Sequence, residues 1–174
     1  MAQYRYWKLK NFTVSGDYLE VGEFMLWTAD TNVNSSATIT AVSVNNVTKW
    51  WDGLWTSGYG ANELTANLGP LELKWDFGAS GPYPDIRSVK IAYYDNASRY
   101  PKSFDSFYSS NNVNWTLATQ LTNIDSSGKT NYITVTEYPI DPLWYEQFYR
   151  PPQIAPPKFP IADLQRNIIY TLNL

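Results

Sequence analysis

The sequence predicts an all-β protein, an antiparallel β-sandwich of jelly-roll type followed by an extended proline-rich C-terminal arm. Three observations carry that reading. The stretch 71–119 alternates apolar and polar residues in runs separated by turn residues. No amphipathic helix of useful length appears before residue 140. Prolines crowd the last part of the chain, with seven of the eleven lying in 139–174. Period-two alternation rich in β-branched and aromatic residues marks a half-buried strand, whereas helices repeat every three to four residues.

Taken in order, Tyr4 to Val14 alternates and reads as a strand, closed by the turn Ser15-Gly16-Asp17. Tyr18 to Trp27 is a second apolar segment, a strand or a short helical turn, of which the strand is favoured. Thr28 to Ala37, with Asn32, Asn34, Ser35 and Ser36, is a polar loop. Thr38 to Val44 alternates cleanly and is predicted as a strand, and Asn45 to Gly69 as irregular chain. In the next run Leu71, Leu73, Trp75 and Phe77 point one way and Glu72, Lys74 and Asp76 the other. Gly78-Ala79-Ser80-Gly81-Pro82 breaks it. Ile86, Val89, Ile91 and Tyr93 form the apolar side of the following segment, with Lys90 facing out. The run from Lys102 to Ala118 turns at Asn111-Asn112, and asparagine pairs accept the positive φ that a hairpin needs. Tyr132 to Thr136 reads as the last core strand.

Domain organisation follows: residues 1–138 form the sandwich, and 139–174 the arm. Proline has no amide donor and fixes φ, so 151–160 forms neither a helix nor a central strand. An extended, largely polyproline-like ribbon is expected, spanning up to ~120 Å if fully drawn out. Polar linkers stay disordered, but this one carries Trp144, Tyr145, Phe148, Tyr149, Phe159, Ile168 and Tyr170. Such anchors suit docking on a partner subunit; the plainer alternative is that the arm wraps over its own domain. Arg166 to Leu174 has strand propensity and suits addition to a sheet edge.

Composition narrows the function classes. The net charge is −3, with no clustered Lys and Arg to neutralise phosphates, so a nucleic-acid partner is not expected. There is no Cys and no His, which removes thiolate chemistry, the commonest general base and the commonest zinc ligand. The acids are scattered, with no pair marked out for glycosidase work, and no nucleophile elbow or phosphate loop occurs. The chain is therefore expected not to be an enzyme and to need no cofactor. The first twenty residues hold no apolar core of a leader, and no window nears ~18 apolar residues. A soluble protein with no ordinary secretion signal and no membrane insertion is expected.

The series Trp75-Asp76-Phe77-Gly78, then Ile86 to Ile91, then Pro101 to Thr116 ending Asn111-Asn112-Val113-Asn114-Trp115-Thr116, resembles the core of the discoidin-like family, the C-type domains of coagulation factors. Trp51 to Tyr59 is similar to that family's Asp-Gly loop. Tyr4 to Leu9 and Glu20 to Phe24 look like its closing strands, met here at the start of the chain. That order resembles the circularly shifted form seen in some bacteriophage virion proteins. The similarity covers roughly residues 4 to 137 and departs from the factor-type domains in lacking a disulfide clasp.

Two functions follow as expectations. The first is a virion structural protein of the tail, baseplate, fibre-attachment or head-decoration kind, assembled in the host cytoplasm onto other virion proteins through its arm. The second is a carbohydrate-binding module or adhesin. The loop from Lys49 to Tyr59 concentrates aromatics, and the resemblance implies sugar binding by such loops, with Trp50, Trp55 and Tyr59 as the stacking residues. The structural alternative is that Trp51 and Trp55 plug the end of the sandwich. The resemblance also makes Asp52 a candidate calcium ligand, with Thr56 and Glu23 as companions, since hard cations take oxygen ligands; a lone Asp-Gly is otherwise a turn.

Overall fold

The computed structural model describes residues 3–16, 18–42, 50–51, 60–63, 71–93, 97–127 and 135–140. Among the described residues ten strands follow one another: β1 Tyr6–Thr13, β2 Tyr18–Val21, β3 Glu23–Trp27, β4 Thr38–Val42, β5 Gly60–Glu63, β6 Glu72–Asp76, β7 Ser88–Ala92, β8 Ser103–Ser109, β9 Thr116–Leu121 and β10 Val135–Pro139. Short 3-10 turns lie at Asn34–Ser36 and Ala97–Arg99. All pairings between strands are antiparallel. They make a five-stranded sheet in the order β4-β6-β1-β8-β9, a three-stranded sheet β10-β7-β3, and a β2-β5 pair. The all-β expectation holds.

Period two explains which side chains meet between the sheets. Trp7 and Leu9 on β1, Leu73 and Trp75 on β6 and Phe104 on β8 come from the five-stranded sheet. Phe24, Leu26, Val89 and Ile91 come from the three-stranded one, and all join a single core cluster with Leu19, Val21, Trp50, Tyr100 and Ile140. Burying each such side chain is worth ~1.5–3 kcal/mol before ordering costs. Rings bridge the layers: Phe12 lies 5.5 Å from Phe24 and 5.6 Å from Phe104. The predicted inward set of β6 and β7 is the buried one.

Strict alternation alone would turn Phe12 outward. Asn11 adopts φ 58°, and the register with β8 shifts between Lys10 and Thr13. This bulge inserts one residue and returns Phe12 to the core. The Asn11 amide donates to Asp105 Oδ2 at 2.7 Å, holding the bulge in place. The β8–β9 hairpin turns at Asn112, φ 60°, as the Asn-Asn pair predicts. Asn111 Oδ1 accepts from the Val113 and Asn114 amides at 3.0 and 2.9 Å.

The structure corrects three expectations. The stretch 18–27 is not one strand. It breaks at Gly22, β2 pairing with β5 and β3 with β7. The Gly22 amide bonds the Ala92 carbonyl at 2.9 Å at the crossing point. Within the chain read as irregular, Gly60–Glu63 is a strand. Gly-Ala-Asn-Glu contains no β-branched or aromatic residue, so its extended state comes from the ladder with β2 rather than from propensity. Finally, the last core strand, read from the sequence over 132–136, runs on to Pro139. Pro139 ends β10, an edge strand that tolerates a missing donor. Ile140 is fully buried, and its amide bonds the Arg87 carbonyl at 2.9 Å.

Candidate functional site

Three outward strand positions of β1 define a surface: Tyr6, Lys8 and Lys10, on the central strand of the five-stranded sheet. The ladders set their neighbours. Asp76, Lys74 and Glu72 of β6 lie on one side, and Ser109, Phe107 and Asp105 of β8 on the other. Leu117 of β9 pairs with Phe107 and extends the row. Val113 in the β8–β9 turn and Leu117 are 77% and 49% exposed, unusual openness for apolar groups.

Lys8 faces away from the core yet is only 7% exposed. Trp115, half-buried, lies over it, the Nζ 4.0 Å from the ring centroid. Glu72 Oε2 takes the other side of the ammonium at 3.2 Å. Tyr6 meets Trp115 edge-on at 6.5 Å, and Arg5 Cζ sits 4.6 Å from the Tyr6 ring. Lys10 Nζ lies 4.6 Å over Phe107. Each of the three rings thus carries a cation, an attraction worth ~0.5–1 kcal/mol at exposed sites. The result is an amphipathic outer face on which Trp115 and Phe107 are half-buried and Tyr6 is buried beneath them.

Its acids are engaged in structure. Arg5 holds Asp76 bidentately, Nε to Oδ1 at 2.8 Å and Nη2 to Oδ2 at 3.0 Å, and the Gly78 amide adds a bond of 2.8 Å. These donors, Arg5 foremost, hold the Asp76 carboxyl below the usual carboxylate range. A depressed folded value means the pair contributes stability above the unfolded carboxylate range and loses it as pH falls. Arg5→Gln should therefore lower the melting temperature modestly at pH 6. The gap to wild type should close below about pH 3, below the ordinary Asp range of ~3.9. A gap that persists there would show the loss to be one of packing.

The residues singled out from sequence fare unevenly. Trp50, expected to offer a ring to a sugar, is wholly buried and packs edge-to-face on Phe24 at 5.3 Å. It is a core residue. Trp51 is half-buried against the same cluster. Glu23, named beside calcium, is 2% exposed and faces away from the core on β3, opposite Ala92. Asp52, Trp55, Thr56 and Tyr59 lie outside the described residues, as do Trp144, Tyr145, Phe148, Tyr149, Phe159, Ile168 and Tyr170. Among the described residues no group of three acids could hold a metal ion, and no helix is long and apolar enough to cross a membrane. Sequence reasoning used Trp115 as a fold marker and missed this outer face. The available signal was the shared outward parity of Tyr6, Lys8 and Lys10.

No family model, no curated protein and no solved structure matches the chain.

Proposed function

We propose that this chain is a non-catalytic structural component of a bacteriophage virion, of the tail, baseplate, fibre-attachment or head-decoration kind. In this reading a discoidin-like jelly roll is displayed on the particle, and the segment after it docks on neighbouring virion proteins. The observation that carries it is how much of the chain the described core already uses. Described residues from Trp7 to Ile140 build one continuous core, and 34 residues rich in proline and aromatic anchors follow in the sequence. The division of strands, five and three, with the chain passing between sheets from β3 to β4 and from β6 to β7, supports the jelly-roll class. Each anchor buried on a partner is worth ~1.5–3 kcal/mol, less the cost of ordering the segment.

Limited trypsin digestion of the isolated chain tests this. Arg150 precedes proline and resists, so the informative bonds follow Lys158 and Arg166. Rapid cleavage at both, leaving a stable core, is the expected result. Protection of both in the isolated chain would count against docking in trans.

The second reading, glycan binding, gains the amphipathic outer face as a specific observation, beside Trp55 and Tyr59 of the loop. It is compatible with the first, since a displayed module can also be an adhesin. Trp55→Ala with Tyr59→Ala, or Trp115→Ala, should cut retention on a glycan array at least about tenfold, one stacking contact being worth ~1–2 kcal/mol. Particle incorporation should be unchanged. Removing 141–174 should do the reverse; loss of incorporation in the aromatic variants would refute the division.

A further inference from the structure

We propose that the edge of β4, unpaired among the described residues, accepts the C-terminal segment 166–174 of a second copy of this chain by strand addition. The inference rests on the arm-docking reading above and names the surface on which the arm lands.

β4 ends the five-stranded sheet, paired with β6 on one side. Beyond that ladder, no backbone group of Thr38–Val42 has a partner among the described residues. Natural sheets guard such edges with charge, proline, a bulge or a covering segment. Thr38-Ile39-Thr40-Ala41-Val42 has no charge and no proline, its register with β6 is regular, and Val42 is 55% exposed. The opposite edge is guarded. The β8–β9 register is interrupted between Ser106 and Phe107, and Thr119 Oγ1 bonds the Ile140 carbonyl at 3.1 Å beside it.

The core is also unfinished at β4. Ile39 and Ala41 pair with the fully buried Trp75 and Leu73 and pack on the core, but are themselves only half-buried. An incoming strand with an apolar face would cover them. In Arg166 to Leu174, Ile168, Tyr170, Leu172 and Leu174 fall on one face and Ile169, Thr171 and Asn173 on the other, with no proline. The first set complements Ile39 and Ala41, and the second matches Thr38 and Thr40. Pairing in trans follows the arm-docking reading and is within reach. Ile140 lies at the β9 edge, four strand spacings or ~19 Å from β4. Residues 151–160, five of them proline, would span ~31 Å as polyproline, carrying the donor past its own sheet.

The absence of cysteine makes cross-linking in the full chain a clean test. A Thr40→Cys chain is mixed under oxidised glutathione with chains carrying Ile169→Cys, Thr171→Cys or Asn173→Cys. Thr116→Cys, exposed on β9, serves as control. Circular dichroism confirms that each variant is folded. Mixed dimer from Thr40→Cys with at least one donor variant, about tenfold or more above the control, is expected. Ile168→Asp with Leu172→Asp in the donor should abolish it and weaken self-association in sedimentation about 100-fold, the weight of ~2.7 kcal/mol. Predominant Thr40→Cys homodimer would replace the occupant with a second β4. Cross-linking within one dilute chain bearing both cysteines would place the strand in cis. Either overturns the proposal. No cross-link, with self-association still lost in the aspartate variant, would refute the acceptor while sparing the arm-docking reading. Self-association unchanged in that variant and after removal of 141–174 would sink both.

Discussion

Asn34→Ala should cost about 3–5 kcal/mol of folding stability, among the largest losses available to one polar side chain here. Asn34 is 6% exposed although it lies in a short 3-10 turn. Its amide makes three buried bonds. Oδ1 accepts from the Leu26 amide at 3.1 Å and from Trp75 Nε1 at 3.0 Å. Nδ2 donates to the Phe24 carbonyl at 2.6 Å. Phe24 and Leu26 lie on β3, the edge of the three-stranded sheet, and Trp75 on β6 of the five-stranded one. One side chain thus satisfies two backbone groups on the β3 edge and ties the two layers together. Truncation leaves three buried groups without partners, and each orphan costs ~1–3 kcal/mol. Urea unfolding followed by tryptophan fluorescence measures the loss. Combining Asn34→Ala with Trp75→Phe, which deletes the indole donor, should cost less than the sum of the singles by about 1 kcal/mol. A loss for Asn34→Ala under about 1 kcal/mol would mean that water replaces the amide.

Asn34 also shows where reading the sequence stops. Asn, Ser and Ser in a row mark a surface turn, and the turn is there. What makes this Asn a core residue is the edge of β3 beyond the Trp27–Asn32 bridge, which no local pattern announces. Alternation sufficed for β6 and β7, because burial of one face repeats in the spacing itself. It failed at Gly22 and at Gly60–Glu63, where pairing with a distant strand decides the conformation. The same limit governs the candidate surface. The outward parity of Lys8 is legible, but the cover supplied by Trp115 depends on how the hairpin folds back. Trp50 is the converse case: an aromatic residue in an irregular stretch looks available to a ligand, and here it fills the core.

Arg99→Met should cost about 2–4 kcal/mol, near the range for stranding a buried charge but reduced by the partial exposure of the arginine. Arg99 ends the 3-10 turn Ala97–Arg99 and reaches Glu20 on β2. The Glu20 side chain is 6% exposed and that of Arg99 37%. The guanidinium also lies 5.1 Å from the Tyr18 ring. A backbone bond from the Gly16 amide to the Ser98 carbonyl, 2.8 Å, closes the same clasp. Removing the cation leaves a desolvated carboxylate, whereas replacing both partners removes the charge together with its need. Glu20→Gln combined with Arg99→Met should therefore recover more than half of the single-variant loss; no recovery would assign the loss to Arg99 packing over Tyr18. The consequence reaches the loop that carries Trp55 and Tyr59. That loop runs into β5 at Gly60, and β5 is held by β2, the strand bearing Glu20. In Arg99→Met, amide exchange in β2 and β5 should accelerate before exchange in β1 and β6, because the clasp secures the small pair and not the central sheet. Uniform acceleration across all four strands would show instead that the pair and the sandwich unfold as one unit.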